Sequence, residues 1–494
     1  MIDKTRKIFI VAFLCSIMLF FSIIYCPFTN FNSGYAEADK KYTTNSQLKS
    51  DIEYKIGERK YFKEKYINND DFEYILVALG EHCVIWVQYE LWVDEITQND
   101  YDLIQENVDK IYVKMSAGIY NHANSWGDVD NDGRINILLS DFTGSGINGY
   151  YEAANLIMGT ESNYLDILFI DLAPELGLLN LRSNGGKALW ADIAHEFQHM
   201  LFDIACTQNN ATAIGRELWL NESLSAACAY LFSNDEHYID ANYFQYFLLD
   251  YSTENGFLFK RFGLTDGKEY LMTTLFGIYM YKQYGDNLLK ELYENITSEI
   301  SAEQLLLKVF DDKFADFEDL FSSFIAATVF DGIWSQKYSI YSEDITYDGK
   351  TYAGLFDLRS KNNLLYKLNL NIGERDYTNC KWQERVFYYD KTYFADMNRL
   401  NFETTADYMF YYLSAAETCS VFDSEIKIDN DEVVTVFVNC ETESLSVKTI
   451  MRRDLAGTKG IIMIVSALVA LLSVETIVIV IIVNKHKRDK ENED

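Results

Sequence analysis

Trp190, Ile193, Ala194, Phe197, Leu201 and Ile204 recur at steps of three and four, a spacing that predicts a helix with one face in a core. A second helix is predicted over Glu217–Tyr230, where small and apolar residues again fall at helical intervals. Upstream, Cys83-Val-Ile-Trp-Val87 is an unbroken apolar run, suited to a strand buried on both faces rather than a half-exposed one, and Leu165–Asp171 is a short apolar run suited to a buried strand. Between them Asn99-Asp100 can cap a helix whose Ile104, Val108, Ile111, Tyr112 and Met115 share one stripe. Residues 37–70 are polar and read as a loose lead-in or a short helix. Tyr270, Leu275, Phe276 and Tyr279 continue the helical rhythm to Tyr284-Gly285, and most of them belong in a core. From about residue 340 the period changes to two: Leu368, Leu370 and Ile372 alternate with polar neighbours, as do Leu445 and Val447, with Asp429-Asn-Asp431 as a hairpin turn. The pattern predicts an α+β chain that ends in a β-rich domain.

Both ends read differently. Lys4, Arg6 and Lys7 precede an apolar run from Ile8 to Cys26, followed by Ala36 and Ala38, the layout of a secretory signal that is cleaved or kept as an anchor. Ile461–Val483 gives roughly 34 Å of apolar helix, interrupted by Glu475, and Lys485, Lys487, Arg488 and Lys490 follow it. The expectation is one C-terminal transmembrane helix. It would place the chain at the cell membrane, single-pass, with an extracellular catalytic part and a juxtamembrane β-rich domain. The expected divisions are 1–36 signal, 37–125 N-terminal α/β part, 126–335 catalytic part, 340–450 β-rich domain, 461–483 membrane helix and 484–494 cytoplasmic tail.

The 494 residues are about half apolar, enough for a large core, and a net charge of -32 would repel nucleic acid rather than steer it. Of the eight cysteines, Cys206 and Cys228 bracket the link between the two central helices, and Cys419 and Cys440 lie in the β-rich region. A disulfide in each place or buried thiols are both compatible with that spacing.

The central helix carries His195-Glu196-Phe-Gln-His199. Two imidazoles four residues apart stand one above the other, close enough to share a metal ion, while Glu196 sits one step round and can reach a water on that metal. A catalytic zinc site takes three protein ligands, so a third must come from elsewhere. Glu217 and Glu222 in the second helix are the candidates. Five residues separate them, roughly 140° round a helix, so only one can face the metal. A further cluster, Asp128, Asp130, Asp132 and Gly133, has the D-x-D-x-D-G layout of a calcium loop, with Asn136 at its ninth position. Leu139 stands at the twelfth position, which rules out an EF-hand as such. Either Asp141 closes a different cage or the segment is a charged turn feeding a strand.

Trp219-Leu-Asn-Glu222 resembles the run that carries the third ligand in the glutamate-zinc peptidases, aminopeptidase N types included. The interval from His199 is longer here. The better overall match, over residues from about 80 to about 300, is the hyicolysin-type metallopeptidases, which show in the same order Cys83-Val-Ile-Trp-Val87, Asp128–Asp141, Asn148-Gly-Tyr-Tyr151, Leu165–Asp171, the histidine run and the Glu222 run. Ser223 departs from the Gly usual after the ligand glutamate. The resemblance implies a zincin-like catalytic domain in which Zn2+ is held by His195, His199 and Glu222, and in which Glu196 is the general base. It also implies a tyrosine hydroxyl that helps hold the oxyanion, for which Tyr270 is the first candidate and His237 an alternative. The substrate would be a peptide or protein. A peptidase-like module without catalysis, serving adhesion or sensing, is the second reading, and metal-dependent hydrolysis of a non-peptide bond the third.

Overall fold

A computed structural model describes residues 54–64, 70–92, 96–116, 127–145, 147–159, 162–173, 177–215, 217–232, 267–340, 344–347, 350–361, 373–378, 382–389, 399–413, 418–421, 425–427, 433–440 and 444–452. Six strands form the first sheet: β1 (Arg59–Glu64), β2 (Asp70–Leu79), β3 (Cys83–Gln88), β4 (Ile135–Ser140), β5 (Gly149–Tyr151) and β6 (Ile167–Asp171). Their spatial order is β1-β2-β3-β4-β6-β5. The central strands β3, β4 and β6 run parallel, and each is buried along its whole length, as their mostly apolar sequences require. The outer strands β1, β2 and β5 run antiparallel to their neighbours. Residues 59–64, expected within a loose lead-in, are therefore a strand, held in place by pairing with β2 rather than by any periodicity of their own.

Helix α1 (Gln98–Met115) makes the crossover from β3 to β4 and buries Tyr101, Ile104, Val108, Ile111, Tyr112 and Met115. Its cap is Thr97 rather than Asn99-Asp100: the Asp100 carboxylate accepts both the Thr97 N–H and its hydroxyl at 2.8 Å. Helix α2 (Lys187–Gln208) packs on β5 and β6, helix α3 (Leu218–Phe232) packs on α2, and α4 (Gly267–Tyr284) packs on α3. Helices α5 (Leu288–Asn295), α6 (Ala302–Phe310) and α7 (Phe317–Phe330) complete this half.

The C-terminal region holds two antiparallel four-stranded sheets. One contains Gln383–Tyr389, Val433–Asn439, Tyr408–Leu413 and Thr418–Val421; the other contains Glu425–Lys427, Arg399–Thr404, Ser444–Arg452 and Gly373–Thr378. Phe387, Tyr389 and Phe437 of the first meet Leu400, Phe402, Leu445 and Val447 of the second in one core. The outer face of the first sheet docks on α7, where Trp382 meets Phe317 and Phe321 edge-on, at ring-centroid distances of 5.4 and 5.3 Å.

The membrane-anchored architecture expected from the sequence is corrected. Among the described residues no helix is long and apolar enough to cross a membrane. The long helices carry charges through their middles, as α2 does with Asp192, Glu196 and Asp203. The segment 461–483, on which the transmembrane helix, the single-pass topology, the membrane partner and the extracellular location all rested, lies outside the described residues, as do the N-terminal signal, Glu475, His237, the turn at 429–431 and the alternation at 368–372. The α+β class with its C-terminal β-sheets stands. Of the two arrangements open to Cys206 and Cys228, the fold takes buried free thiols rather than a disulfide.

Candidate metal centre

The centre begins with the entry to α2. Gly186 takes a left-handed φ of 78° at the N-cap, where an added Cβ would also lie 2.6 Å from the Trp190 ring. The Trp190 indole donates to the Gly185 carbonyl at 2.9 Å, which pins the first turn. Trp190, Ile193, Ala194, Phe197 and Leu201 then bury one face, as the spacing requires, and His195, Glu196 and His199 are left half-buried on the other.

The helix α3 brings Glu222 to both imidazoles. His195 Nε2 lies 3.5 Å from Glu222 Oε2 and His199 Nε2 lies 3.8 Å from Oε1, with the two rings nearly perpendicular at 84°. Three ligands set about 2.05 Å from one zinc ion in a tetrahedron stand about 3.3 Å apart. The donor set and its spacing thus fit zinc, and a candidate atom from each of the three residues lies within 4.8 Å of the others. Glu217 does not take part. Its Oε2 accepts the Trp219 indole N–H at 2.8 Å, two residues along, on the far side of the turn.

The groups in the site shift one another. Burial works against a charged His195, but its hydrogen bond to Glu222 and the carboxylates of Glu196, Glu222 and Asp192 push it up to about 9. Burial would raise Glu222, yet His199 and His195 hold it below the ordinary carboxylate value. Glu196 goes the other way: burial raises it, and the two imidazoles only partly offset that. Its carboxylate also accepts the backbone N–H of Tyr151, at the end of the short strand β5. That strand passes so close that a Cβ on Gly149 would stand 3.2 Å from Glu196 Cγ.

Several participants went unnoticed in the sequence. Asn221 Oδ1 and Ser225 Oγ both lie 3.0 Å from His199 Nδ1. Their only signal was position, one residue before and three after Glu222. Asp192, one turn before Glu196, is driven up to about 7 by burial, with His195 opposing and Glu196 adding to the rise, and it bonds the Asn148 side chain. Tyr270 falls in the first turn of α4, and its side chain lies outside the described residues.

A second cluster gathers Asp128, Asp130 and Asp132 within the same 4.8 Å limit. The Asp128 carboxylate accepts the N–H groups of Asp132 and Gly133 at 3.1 Å, and the Tyr54 hydroxyl donates to Asp130 at 2.8 Å. Burial and the neighbouring Asp130 push Asp128 up to about 7 and Asp132 up to about 6. Asn136, the ninth position of the expected loop, faces elsewhere and accepts the Trp86 indole N–H at 3.0 Å.

Comparison with known proteins points the same way. No family model matches the chain. It is 25% identical over 228 residues to the neutral metalloprotease ShpI of Staphylococcus hyicus, an alignment covering 44% of this chain and 49% of that protein. The chain thus spans about half the length of the curated relative it matches. With the His-His-Glu triad, this similarity makes the chain zinc-metalloprotease-like and supports a zinc-dependent hydrolase in general terms.

Proposed function

We propose that the protein is a zinc peptidase of the hyicolysin type that hydrolyses peptide bonds, with His195, His199 and Glu222 holding the metal and Glu196 acting as general base. The convergence of the three ligands from two helices, with Glu196 beside them on the same face of α2, is the observation that carries this reading. Zinc, when bound, polarises the scissile carbonyl and makes water a nucleophile near neutral pH. Glu196 takes the proton of the attacking water and passes it to the leaving amine. Its burial favours that role, because a base works best with a pKa lifted towards the working pH. The Tyr151 N–H fixes which way the carboxylate points. Tyr270 is the first hydroxyl to test for oxyanion binding.

The sheet suggests how a peptide is held. Among the described residues β5 is the last strand in the order, and it lies against α2 beside Glu196. An extended chain added along it would bring its carbonyls past the base. The aspartate loop is read either as a site for Ca2+, a hard cation matched to carboxylate oxygens, or as a charged turn feeding β4. The test of the main reading is incubation of the purified protein with a diverse peptide library. Cleavage that stops with a chelator and returns with zinc supports it, and cleavage indifferent to the chelator overturns it.

A further inference from the structure

Behind His199 the polar atoms form a chain of donors and acceptors, and following its protons shows what it does. Gln198 and Ser225 are fully buried and Tyr293 nearly so. Gln198 stands next to His199 but points away from the metal face, into the core, where its Nε2 donates to the Tyr293 hydroxyl of α5 at 3.4 Å. Its Oε1 accepts the hydroxyl proton of Ser225, which comes from α3.

A serine hydroxyl has one proton. With that proton given to Gln198, Ser225 Oγ can only accept from His199 Nδ1, 3.0 Å away. Asn221 Oδ1, also 3.0 Å from Nδ1, is an acceptor too. The nitrogen between them must therefore carry the hydrogen, which leaves the lone pair on Nε2, the atom that faces Glu222. Without Gln198 the hydroxyl could rotate and offer its proton to Nδ1, favouring the tautomer that cannot bind metal.

We propose, on the zinc reading above, that Gln198 is a positioning residue. Its side-chain carbonyl, oriented by Tyr293, fixes the Ser225 hydroxyl and so holds His199 with hydrogen on Nδ1 and its lone pair turned to the metal. The link runs from α5 through α2 and α3 to a ligand, so the packing of three helices is read out at one nitrogen.

The test compares Gln198→Leu with Gln198→Glu. A glutamate buried here stays neutral, accepts from Ser225 through its carbonyl and donates to Tyr293 through its hydroxyl, so it should keep the function. Zinc affinity is measured on the full chain by competition with a chromogenic chelator. Gln198→Leu should bind zinc roughly 10-fold or more weakly, in the range found for groups that support a metal ligand, and Gln198→Glu should stay within about 3-fold of wild type. In metal-free protein labelled with 15N at its six histidines and held in alkaline buffer, the His199 ring should show hydrogen on Nδ1. Gln198→Leu should shift that signal towards a mixture of tautomers. Equal affinity and an unchanged ring signal in Gln198→Leu overturn the proposal, since the site would then need only packing, as does a Gln198→Glu loss as large as that of leucine, since restoring the acceptor to Ser225 would then restore nothing. If Gln198→Leu does not fold, Tyr293→Phe removes the orienting hydroxyl alone and should give a smaller loss in the same direction; no change overturns the proposal. Wild type that binds no zinc would instead sink the zinc reading itself.

Discussion

At the scale of single residues the proposed mechanism separates holding the metal from moving the proton. On the proposed reading His199 contributes a ligand atom, whereas Glu196 is not one of the three converging groups. The substitution Glu196→Gln keeps the size of the side chain and its contact with the Tyr151 N–H through the amide oxygen, but it cannot take a proton. We expect zinc content near wild type with turnover reduced by roughly 100- to 10,000-fold. His199→Ala removes a ligand and should lose zinc and turnover together. Elemental analysis with a casein-type assay distinguishes the two, and a Glu196→Gln protein at the wild-type rate would remove Glu196 as the base. The histidine pair and its glutamate were legible in the sequence because the helical period dictates which residues share a face. Glu222 over Glu217 was legible only through resemblance, since geometry allowed either. What decides it in the fold is the Trp219 indole, which takes up Glu217 two residues away. The surrounding partners, Asn221, Ser225 and Gln198, carry no pattern of their own, because polar residues in a mostly apolar helix pair acquire meaning only once the helices are docked.

Between elements, the position of Glu222 depends on how closely α4 approaches α3. Gly277 sits where a Cβ would fall 1.9 Å from the carbonyl oxygen of Ser223 and 3.3 Å from Ala227 Cβ. Ser223 follows the ligand directly, and its own hydroxyl is turned back to the Trp219 carbonyl at 2.7 Å, so it fits without pushing α4 away. That is why a serine fits here, and why a glycine is needed one helix over, at position 277. Gly277→Ala must separate the helices, at a cost of about 1–3 kcal/mol, and drag the start of α3 with it. Both the thermal midpoint and zinc affinity should fall; a variant with lowered stability but unchanged affinity would show that Glu222 is held by α2 alone. The element pattern was readable where strands and helices are long and apolar, as for β3 and α2. The strand β1 and the cap at Thr97 were not, since a strand of mostly polar residues exists through its partner and a cap is chosen by which side chain reaches the free N–H groups. The aspartate loop before β4 gives a prediction of its own. Asp128 and Asp132, raised to about 7 and about 6, resist ionisation in the folded state without a cation. Raised carboxylate values cost nothing below about pH 4, where the carboxylates are protonated folded or unfolded, and the cost is complete above about pH 7. A bound cation needs the ionised form and removes the cost. Millimolar calcium should therefore raise the melting temperature little at pH 5 and by several degrees at pH 8, and an equal shift at both would mean that these carboxylates do not hold it.

Across the whole molecule, zinc would add a further link between α2 and α3, which already meet through packing and the hydrogen bonds of Gln198, His199, Asn221 and Ser225. A ligand present at about a thousand times its dissociation constant stabilises the fold that binds it by about 4 kcal/mol. The β region stands apart in this respect. Its two sheets enclose their own core of Phe387, Tyr389, Leu400, Phe402 and Phe437, and it touches the helical half through α7 and the segment after it, where Trp334 and Tyr338 meet Phe410. The change to period two near residue 340 foretold such a region, but not its docking on α7, because aromatic contacts such as Phe317–Trp382 leave no trace in alternation. If the two halves melt separately, calorimetry of the intact chain should resolve two transitions. Adding a chelator should then lower the transition of the helical half by several degrees and leave that of the β region in place. Loss of near-ultraviolet signal from Trp190 and Trp219, both buried by α2 and α3, should accompany the first transition. A single transition that moves as one with zinc would instead show that the α7 contact makes the two halves one cooperative unit, and that the metal stabilises the β-sheets at a distance.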